Sequence, residues 1–177
     1  MSRFVELIQS PTVTAAVVAA AVALTLGWLQ RRREARAARQ DVFSAAYAAY
    51  AAYREMPYVV RRRGASDAEA ERRRTSEIMR DVQERISYHL AWTRLHAPDV
   101  GAAYGELITQ LRRVAGRAVA AEWKRPAITE DGQMNVPDID LTELDSVANA
   151  YLFAVERHLH PCLTRLRRQR QVESTRS

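Results

Sequence analysis

The four histidines are the side chains in this sequence best suited to chemistry, since imidazole binds metals and transfers protons. His89 and His96 are seven residues apart, and on one helix this spacing separates them by about 10 Å, too far to share a metal ion. His158 and His160 are two residues apart and would diverge by about 200° around a helix. Because no E-x-x-H or H-x-x-x-H spacing occurs, the pattern predicts no metal site and argues against a ferritin-like di-iron bundle.

Cys162 is the only cysteine in the chain, and a single cysteine excludes an internal disulfide. It lies among apolar residues with helical spacing and has no histidine at a fixed distance, so core packing is favoured over nucleophilic chemistry. The chain also contains no phosphate-binding glycine loop, dinucleotide fingerprint or nucleophile elbow. These observations predict a protein that is not an enzyme and that holds no cofactor.

Arginine side chains are the other group with a binding chemistry, because a guanidinium pairs with phosphate and carboxylate groups. Lys124 is the only lysine among 27 basic residues, which is typical of a GC-rich genome and lowers the weight of the arginine count. Two clusters would face no membrane and so have no structural role to explain them. They predict a patch for a partner: Arg61, Arg62, Arg63, Arg72, Arg73 and Arg74. A nucleic-acid partner is the weaker interpretation, since acidic residues interleave with these clusters and the formal net charge is +6.

The first element that must position these residues is an uncharged stretch of 24 residues from Leu7 to Gln30. Its apolar centre, Pro11 to Leu29, would be about 28 Å long as a helix, which matches the hydrocarbon core of a bilayer. A basic flank follows at once, with Trp28 one turn before it: Arg31, Arg32, Arg33, Arg36 and Arg39. The pattern predicts a single transmembrane helix over residues 11–30, flanked by side chains that contact anionic lipid headgroups.

Flanking charge predicts the direction of this helix. Arginine and lysine are retained in the cytoplasm, and the leading flank offers only Arg3 against Glu6. We therefore expect residues 1–10 to lie outside the cytoplasmic membrane and residues 31–177 to lie in the cytoplasm. One alternative is a cleaved signal peptide with Ala21-Val22-Ala23 as its cleavage site. The other is a buried core helix, which an apolar run without a polar face fits poorly.

Helical periodicity dominates the rest of the chain, which contains only six glycines and six prolines. The spacing predicts four long helices. The first runs from Gln30 to Met56 and is ended by Pro57, and the second runs from the capping box at Ser66 to Ala97. The third runs from Pro98 to Arg125, and the fourth begins at Asp140 and is kinked or ended near Pro161. The predicted fold is all-α, with the transmembrane helix followed by an antiparallel up-down four-helix bundle over residues 31–170 and a frayed tail over 171–177.

Alternating helix directions predict which segments meet at each end of the bundle. The basic tail, Arg165 to Arg170, should return to the lipid-facing flank of Arg31 to Arg39. The two clusters of the arginine patch should lie with the 127–138 loop at the opposite end, about 40 Å away.

Two segments resemble a known group of proteins: Met56-Pro57-Tyr58-Val59-Val60-Arg61-Arg62-Arg63, and the stretch from Tyr88-His89-Leu90-Ala91-Trp92 to Ala97-Pro98-Asp99-Val100. With the short anchor, the tyrosine-rich helix and the loop from Trp123 to Pro137, they are similar to small single-pass helical membrane proteins of actinobacteria and actinophages. The resemblance implies the anchored helical architecture and a GC-rich bacterial host. It implies no activity, and no functional residue is carried over from it.

We therefore expect a non-enzymatic helical module, tethered to the membrane, that binds another protein or a second copy of itself at the cytoplasmic face. Tethering raises the effective concentration of such a module for membrane partners. One alternative is a membrane-held regulator that binds nucleic acid through the arginine clusters. Another is a small ligand-binding or enzymatic bundle, with a pocket between the helices near His89, Trp92, Tyr104 and Tyr151.

Overall fold

The computed structural model describes residues 11–134 and 139–160, and these residues are mainly helical, with no β-strand among them. In chain order the α-helices are α1 Pro11–Arg54, α2 Met56–Arg61, α3 Ala68–His96, α4 Pro98–Lys124 and α5 Glu143–Leu159. A 3-10 turn, Asp131–Met134, lies in the loop between α4 and α5. The prediction of an all-α helical bundle is confirmed, and α2 is a helix that the sequence analysis missed.

The chain divides into two compact units between Asp41 and Val42. In the first unit, large apolar side chains of α1 are exposed: Val17, Val18, Val22, Leu24, Leu26, Trp28 and Leu29. The side chains of residues 31–41 are also exposed, so the packed second unit begins later than residue 31, where the bundle was predicted to begin.

Within the described part of the chain, none of the helices combines the length and the apolar character that crossing a membrane requires.

Contacting side chains give the direction of each long helix in the second unit. Helix α5 contacts both α1 and α4, and in each case the contacted residue comes earlier in one helix as its partner comes later in the other. The pairs are Arg54–Asp145 and Phe43–His158 between α1 and α5, and Arg113–Glu143 and Asp99–Arg157 between α4 and α5. Helix α5 is therefore antiparallel to both α1 and α4. Helix α3 is antiparallel to α4 as well, because Gly105 of α4 lies beside Leu90 and Arg94 of α3.

Alanines on the C-terminal part of α1 allow the neighbouring helices to approach closely. Ala46 and Ala49 are fully buried, and their methyl groups fill little space. Tyr104 of α4 donates to the Ala46 carbonyl at 3.0 Å, and Tyr151 of α5 donates to the Phe43 carbonyl at 2.9 Å. Burial raises the pKa of both tyrosines, so their hydroxyl groups keep the proton that each hydrogen bond needs.

Two helix boundaries differ from the prediction. Helix α1 ends at Arg54, and Pro57 lies in the first turn of α2, where the missing backbone N–H of proline costs nothing. The N-cap of α3 is Asp67 rather than Ser66, because the Asp67 carboxylate accepts a hydrogen bond from the Ala70 N–H at 2.9 Å. Both differences concern which residue makes the local hydrogen bond, and neither changes the order of the long helices.

Helix α5 begins at Glu143, three residues after Asp140, where the sequence predicted its start. The Asp140 carboxylate accepts hydrogen bonds from the backbone N–H and the hydroxyl group of Thr142, and the helix starts at the next residue. It ends at Leu159, two residues before Pro161. Cys162 and the predicted basic tail, Arg165 to Arg170, lie outside the described residues.

The connection between α3 and α4 is a single residue, Ala97. Four residues later, Gly101 lies against the backbone of α3: a Cβ atom added there would be 2.7 Å from both Cα and N of Arg94. Real Cβ atoms do not approach backbone atoms this closely, so the corner requires glycine at this position.

Gly101→Ala should lower the free energy of unfolding by about 2–3 kcal/mol, because the backbone of one helix must move to admit the methyl group. Gly105→Ala is the matched control on the same helix. Its Cβ would meet the flexible end of Arg94 at 3.3 Å, so the variant should be neutral or gain up to about 1 kcal/mol from helix propensity. Chemical unfolding of the full chain measures both values, and equal stabilities of the two variants would contradict the tight corner.

His89 is a buried histidine on α3, and its Nδ1 has no hydrogen-bond partner among the described residues. Burial lowers the pKa of His89 from the ordinary value of 6.5, and the nearby charge of Arg85 lowers it further. The folded protein therefore holds this side chain in its neutral form more strongly than the unfolded chain does.

The free energy of unfolding should fall as the pH is lowered below 6.5, since the unfolded chain then binds a proton that the folded chain still excludes. His89→Gln removes the titrating group and should show a smaller loss of stability between about pH 7 and pH 5. His96→Gln changes an exposed histidine on the same helix and should keep the full dependence. If the wild-type protein and His89→Gln lose stability equally on acidification, His89 is not the group responsible.

Candidate functional site

The structure places the two clusters of the predicted arginine patch on different elements: Arg61, Arg62 and Arg63, at the end of α2, lie against the loop after α4, whereas Arg72, Arg73 and Arg74 lie near the start of α3. Arg62 Nε donates to the Met134 carbonyl at 3.3 Å, and the Ile128 N–H donates to the Arg63 carbonyl at 3.1 Å. Gly64 and Ile128 form an isolated parallel bridge beside this bond. The predicted meeting of the first arginine cluster with the 127–138 loop is therefore observed as far as Met134.

Arg63 binds the C-terminus of α4. Its Nη1 donates to the Val60 carbonyl at 2.8 Å and to the Glu122 carbonyl at 3.0 Å, while Nη2 donates to the carbonyls of Trp123 and Arg125. The last carbonyl groups of a helix have no partner within the helix, and one planar guanidinium supplies several of these bonds here. The same guanidinium lies over the Trp123 ring, 4.9 Å from its centroid.

Arg61 pairs with a carboxylate that the sequence analysis did not identify. Glu122 is only 4% exposed, and its oxygens lie 3.7 Å from Arg61 Nε and 3.4 Å from Arg125 Nη1. Removing one member of a buried ion pair leaves a charge uncompensated and is strongly destabilising. Our premise that the first cluster has no structural role is therefore wrong for Arg61 and Arg63.

The helical spacing of apolar residues in α4 predicts that Trp123 lies on the buried face. It is 39% exposed instead, and Glu122 is buried in its place. One feature of the sequence could have indicated that Glu122 is buried: the helix ends at Arg125-Pro126. The last carbonyl groups of a helix need donors from outside it, and the arginines that supply them can also neutralise a buried carboxylate. Hydrophobic spacing alone does not contain that information.

The other arginines of the patch point into solvent: Arg62, Arg72, Arg73 and Arg74. Arg73 pairs with Glu69 at 3.2 Å and Arg74 pairs with Glu71 at 2.8 Å, both within α3. Exposed pairs of this kind contribute about 0.3–0.5 kcal/mol. The guanidinium groups of Arg72, Arg73 and Arg74 are thus available to a stronger acidic partner. Arg62 is exposed as well, but it also contacts the loop through its bond to the Met134 carbonyl.

The predicted membrane flank is exposed throughout: Trp28, Arg31, Arg32, Arg33 and Arg36. Arg32 lies over the Trp28 ring, 3.9 Å from its centroid, which holds the indole and a guanidinium together on one side of the helix. Glu34, the acid within this flank, accepts from Gln30 Nε2 at 3.2 Å. No ion pair among the described residues neutralises these arginines.

The seam considered for a pocket is filled. Tyr104 and Tyr151 are fully buried, with ring centroids 5.3 Å apart, and Trp92 contacts Phe43 edge to face at 6.0 Å. In the part of the chain that the structure describes, no group of three or more His, Cys, Asp or Glu side chains could hold a metal ion. The open space lies elsewhere, in a groove between α3 and α4 that the sequence analysis did not predict.

Arg63→Ala should lower the free energy of unfolding by about 2–3 kcal/mol, because charge-assisted hydrogen bonds to the end of α4 are lost together. Arg63→Lys should recover only part of this loss, since an ammonium group lacks the planar fork. Arg73→Ala, which removes an exposed pair, should stay within about 0.5 kcal/mol of wild type. Hydrogen exchange at residues 119–125 measures the local effect, and unchanged protection in Arg63→Ala would contradict the capping role.

The geometry thus shows a structural arginine clamp, four outward-facing arginines and an open groove. Comparisons with protein-family models, with curated proteins and with solved structures found no match to this chain.

Proposed function

We propose that this protein is a membrane-tethered helical module whose bundle binds an acidic protein partner at the cytoplasmic face of the membrane. The observation that carries the proposal is the uncharged run from Leu7 to Gln30 followed at once by Arg31 to Arg33. An apolar run of this length and a basic flank are the two features that anchor a single-pass protein and set its direction.

The exposure of the apolar side chains in α1 supports the tether. Val17, Val18 and Leu26 are each more than half exposed, and at 100° per residue they point in three different directions around the helix. An amphipathic helix that docks on one surface has a polar face opposite the apolar one. Exposed apolar side chains that point in several directions favour a surrounding lipid phase over docking on one surface.

The four outward-facing arginines support an acidic partner. Arg62 and Arg72 pair with no carboxylate among the described residues, and Arg73 and Arg74 have only weak exposed pairs. Carboxylate groups on a partner would form stronger bidentate bonds with these guanidinium groups. A protein partner is favoured over nucleic acid because Glu69 and Glu71 lie between the arginines and would repel a continuous phosphate backbone.

The tether is tested by fractionation of cells that express the full chain. We expect the intact chain in the membrane fraction, resistant to alkaline carbonate. The double variant Val18→Arg/Leu24→Arg should shift it to the soluble fraction, because each arginine near the centre of a span costs about 2.5 kcal/mol or more. Ala37→Arg/Ala38→Arg adds the same charge beyond the span and should leave the chain in the membrane. Recovery of the wild-type chain in the soluble fraction would overturn the tether.

The partner surface is tested by cross-linked pull-down from cells with the anchor in place. Arg62→Glu/Arg73→Glu should lose the partners that wild type captures, while Arg94→Glu/Arg112→Glu makes the same change of charge elsewhere and should keep them. Retention of every partner by Arg62→Glu/Arg73→Glu would overturn this surface. Capture of nucleic acid with a steep dependence on salt would assign it to the alternative regulator instead.

A further inference from the structure

An open groove of about 620 Å³ lies between α3 and α4, with Val60 of α2 at one end. Its volume falls within the range of small-molecule sites, which is about 300–1,000 Å³. On α3 the lining recurs every three or four residues from Ser76 to Ser87, which corresponds to about 16 Å along the helix axis. The groove is therefore elongated and follows the helix pair.

The walls of the groove are apolar where α3 and α4 face each other. Val60, Met79, Val119 and Trp123 supply these walls, and Trp123 is 39% exposed, a large value for an indole. The guanidinium of Arg63 covers one face of that indole, which fixes the ring in place. A preformed apolar surface with a rigid aromatic side chain favours a ligand with an apolar or aromatic body.

Arg80 gives the groove a positive charge. It lines the groove on the α3 side and pairs with no carboxylate among the described residues, although Glu84 lies one turn away on the same wall. Arg80 is thus a cation available to an anionic group that enters beside it. Glu84 makes the other end of the wall negative, so an anion is favoured only at the end near Ser76.

Thr75 adds an unpaired polar group at that same end. The residue lines the groove and is 7% exposed, and its Oγ1 has no hydrogen-bond partner among the described residues. Other helical hydroxyl groups in this chain, those of Ser87, Thr93 and Thr109, donate to the carbonyl four residues earlier. A buried hydroxyl without a partner is costly, and a polar group of a ligand would satisfy it.

We propose that this groove is a binding site for a small amphipathic carboxylate. The apolar or aromatic body of the ligand lies between Met79 and Trp123, and its carboxylate pairs with Arg80 and accepts a hydrogen bond from Thr75. The site is separate from the four outward-facing arginines and does not depend on the partner proposed for them.

The test uses 1-naphthoate as the probe and the full chain, labelled at methionine methyl groups, in nanodiscs of zwitterionic phosphatidylcholine. Of the four methionines, Met79 lines the groove, Met56 is buried in the core and Met134 is exposed in the loop after α4. The Met79 resonance should therefore shift and saturate, and the Met56 and Met134 resonances should not. The uncharged relative 1-naphthalenemethanol should bind more weakly than 1-naphthoate, and the cationic relative 1-naphthylmethylammonium should bind more weakly still. Equal shifts with all three compounds would show binding to apolar surface alone and overturn the proposal.

Variants separate the carboxylate contacts from the shape of the groove. Arg80→Ala should weaken 1-naphthoate binding by about tenfold, Thr75→Val should weaken it several-fold, and Glu84→Gln should strengthen it. Arg112→Ala removes an exposed arginine outside the groove and should change nothing. Unchanged affinity for 1-naphthoate in both Arg80→Ala and Thr75→Val would overturn the proposal. A Met79 resonance that shifts with protein concentration in the absence of ligand would also overturn it, because a second copy of the chain would then occupy the groove.

Discussion

The bundle depends on how closely two helices, α4 and α5, can approach the backbone of α1. Alanine at positions 46 and 49 is small enough for the tyrosine hydroxyl groups of α4 and α5 to reach main-chain carbonyls of α1. A larger side chain at Ala46 would separate Tyr104 from its acceptor and leave a buried hydroxyl unpaired, which is more costly than the lost contact itself. The repeated alanines and tyrosines of this segment are thus one feature, because the small residues make room for the hydrogen bonds of the large ones.

Hydrophobic spacing was sufficient to predict the long helices and most of the buried faces of α4 and α5, since Tyr104, Leu111 and Tyr151 fall on stripes with helical period, but it failed at Trp123. It could not predict α2, because Pro57 is equally compatible with the end of one helix and the first turn of the next. It also could not predict the clamp on α4. The partners of Arg63 are 59 to 62 residues away, and no local pattern shows which helix end a distant arginine will reach.

The arginine clusters show why counting charges is a poor guide to function in this chain. Neighbouring residues of one run have different roles: Arg61 neutralises the buried carboxylate of Glu122, Arg63 binds the end of α4, and Arg62 between them faces solvent. Whether a guanidinium is available to a partner depends on the burial of the atoms it already contacts. The same criterion distinguishes Arg80 from Arg85. Arg80 lines the groove and forms no ion pair among the described residues, whereas Arg85 pairs with Asp81 at 2.9 Å.

The one-residue connection at Ala97 limits how the groove can adapt to an occupant. With the backbones of α3 and α4 in contact at Gly101, neither helix can swing outward at that end without breaking the corner. Any widening must come from rotamer changes of Met79, Arg80 and other long side chains toward the open end of the hairpin. The ligand body proposed between Met79 and Trp123 lies in the half of the groove farther from this corner, where such rotamer changes would accommodate bodies of different thickness.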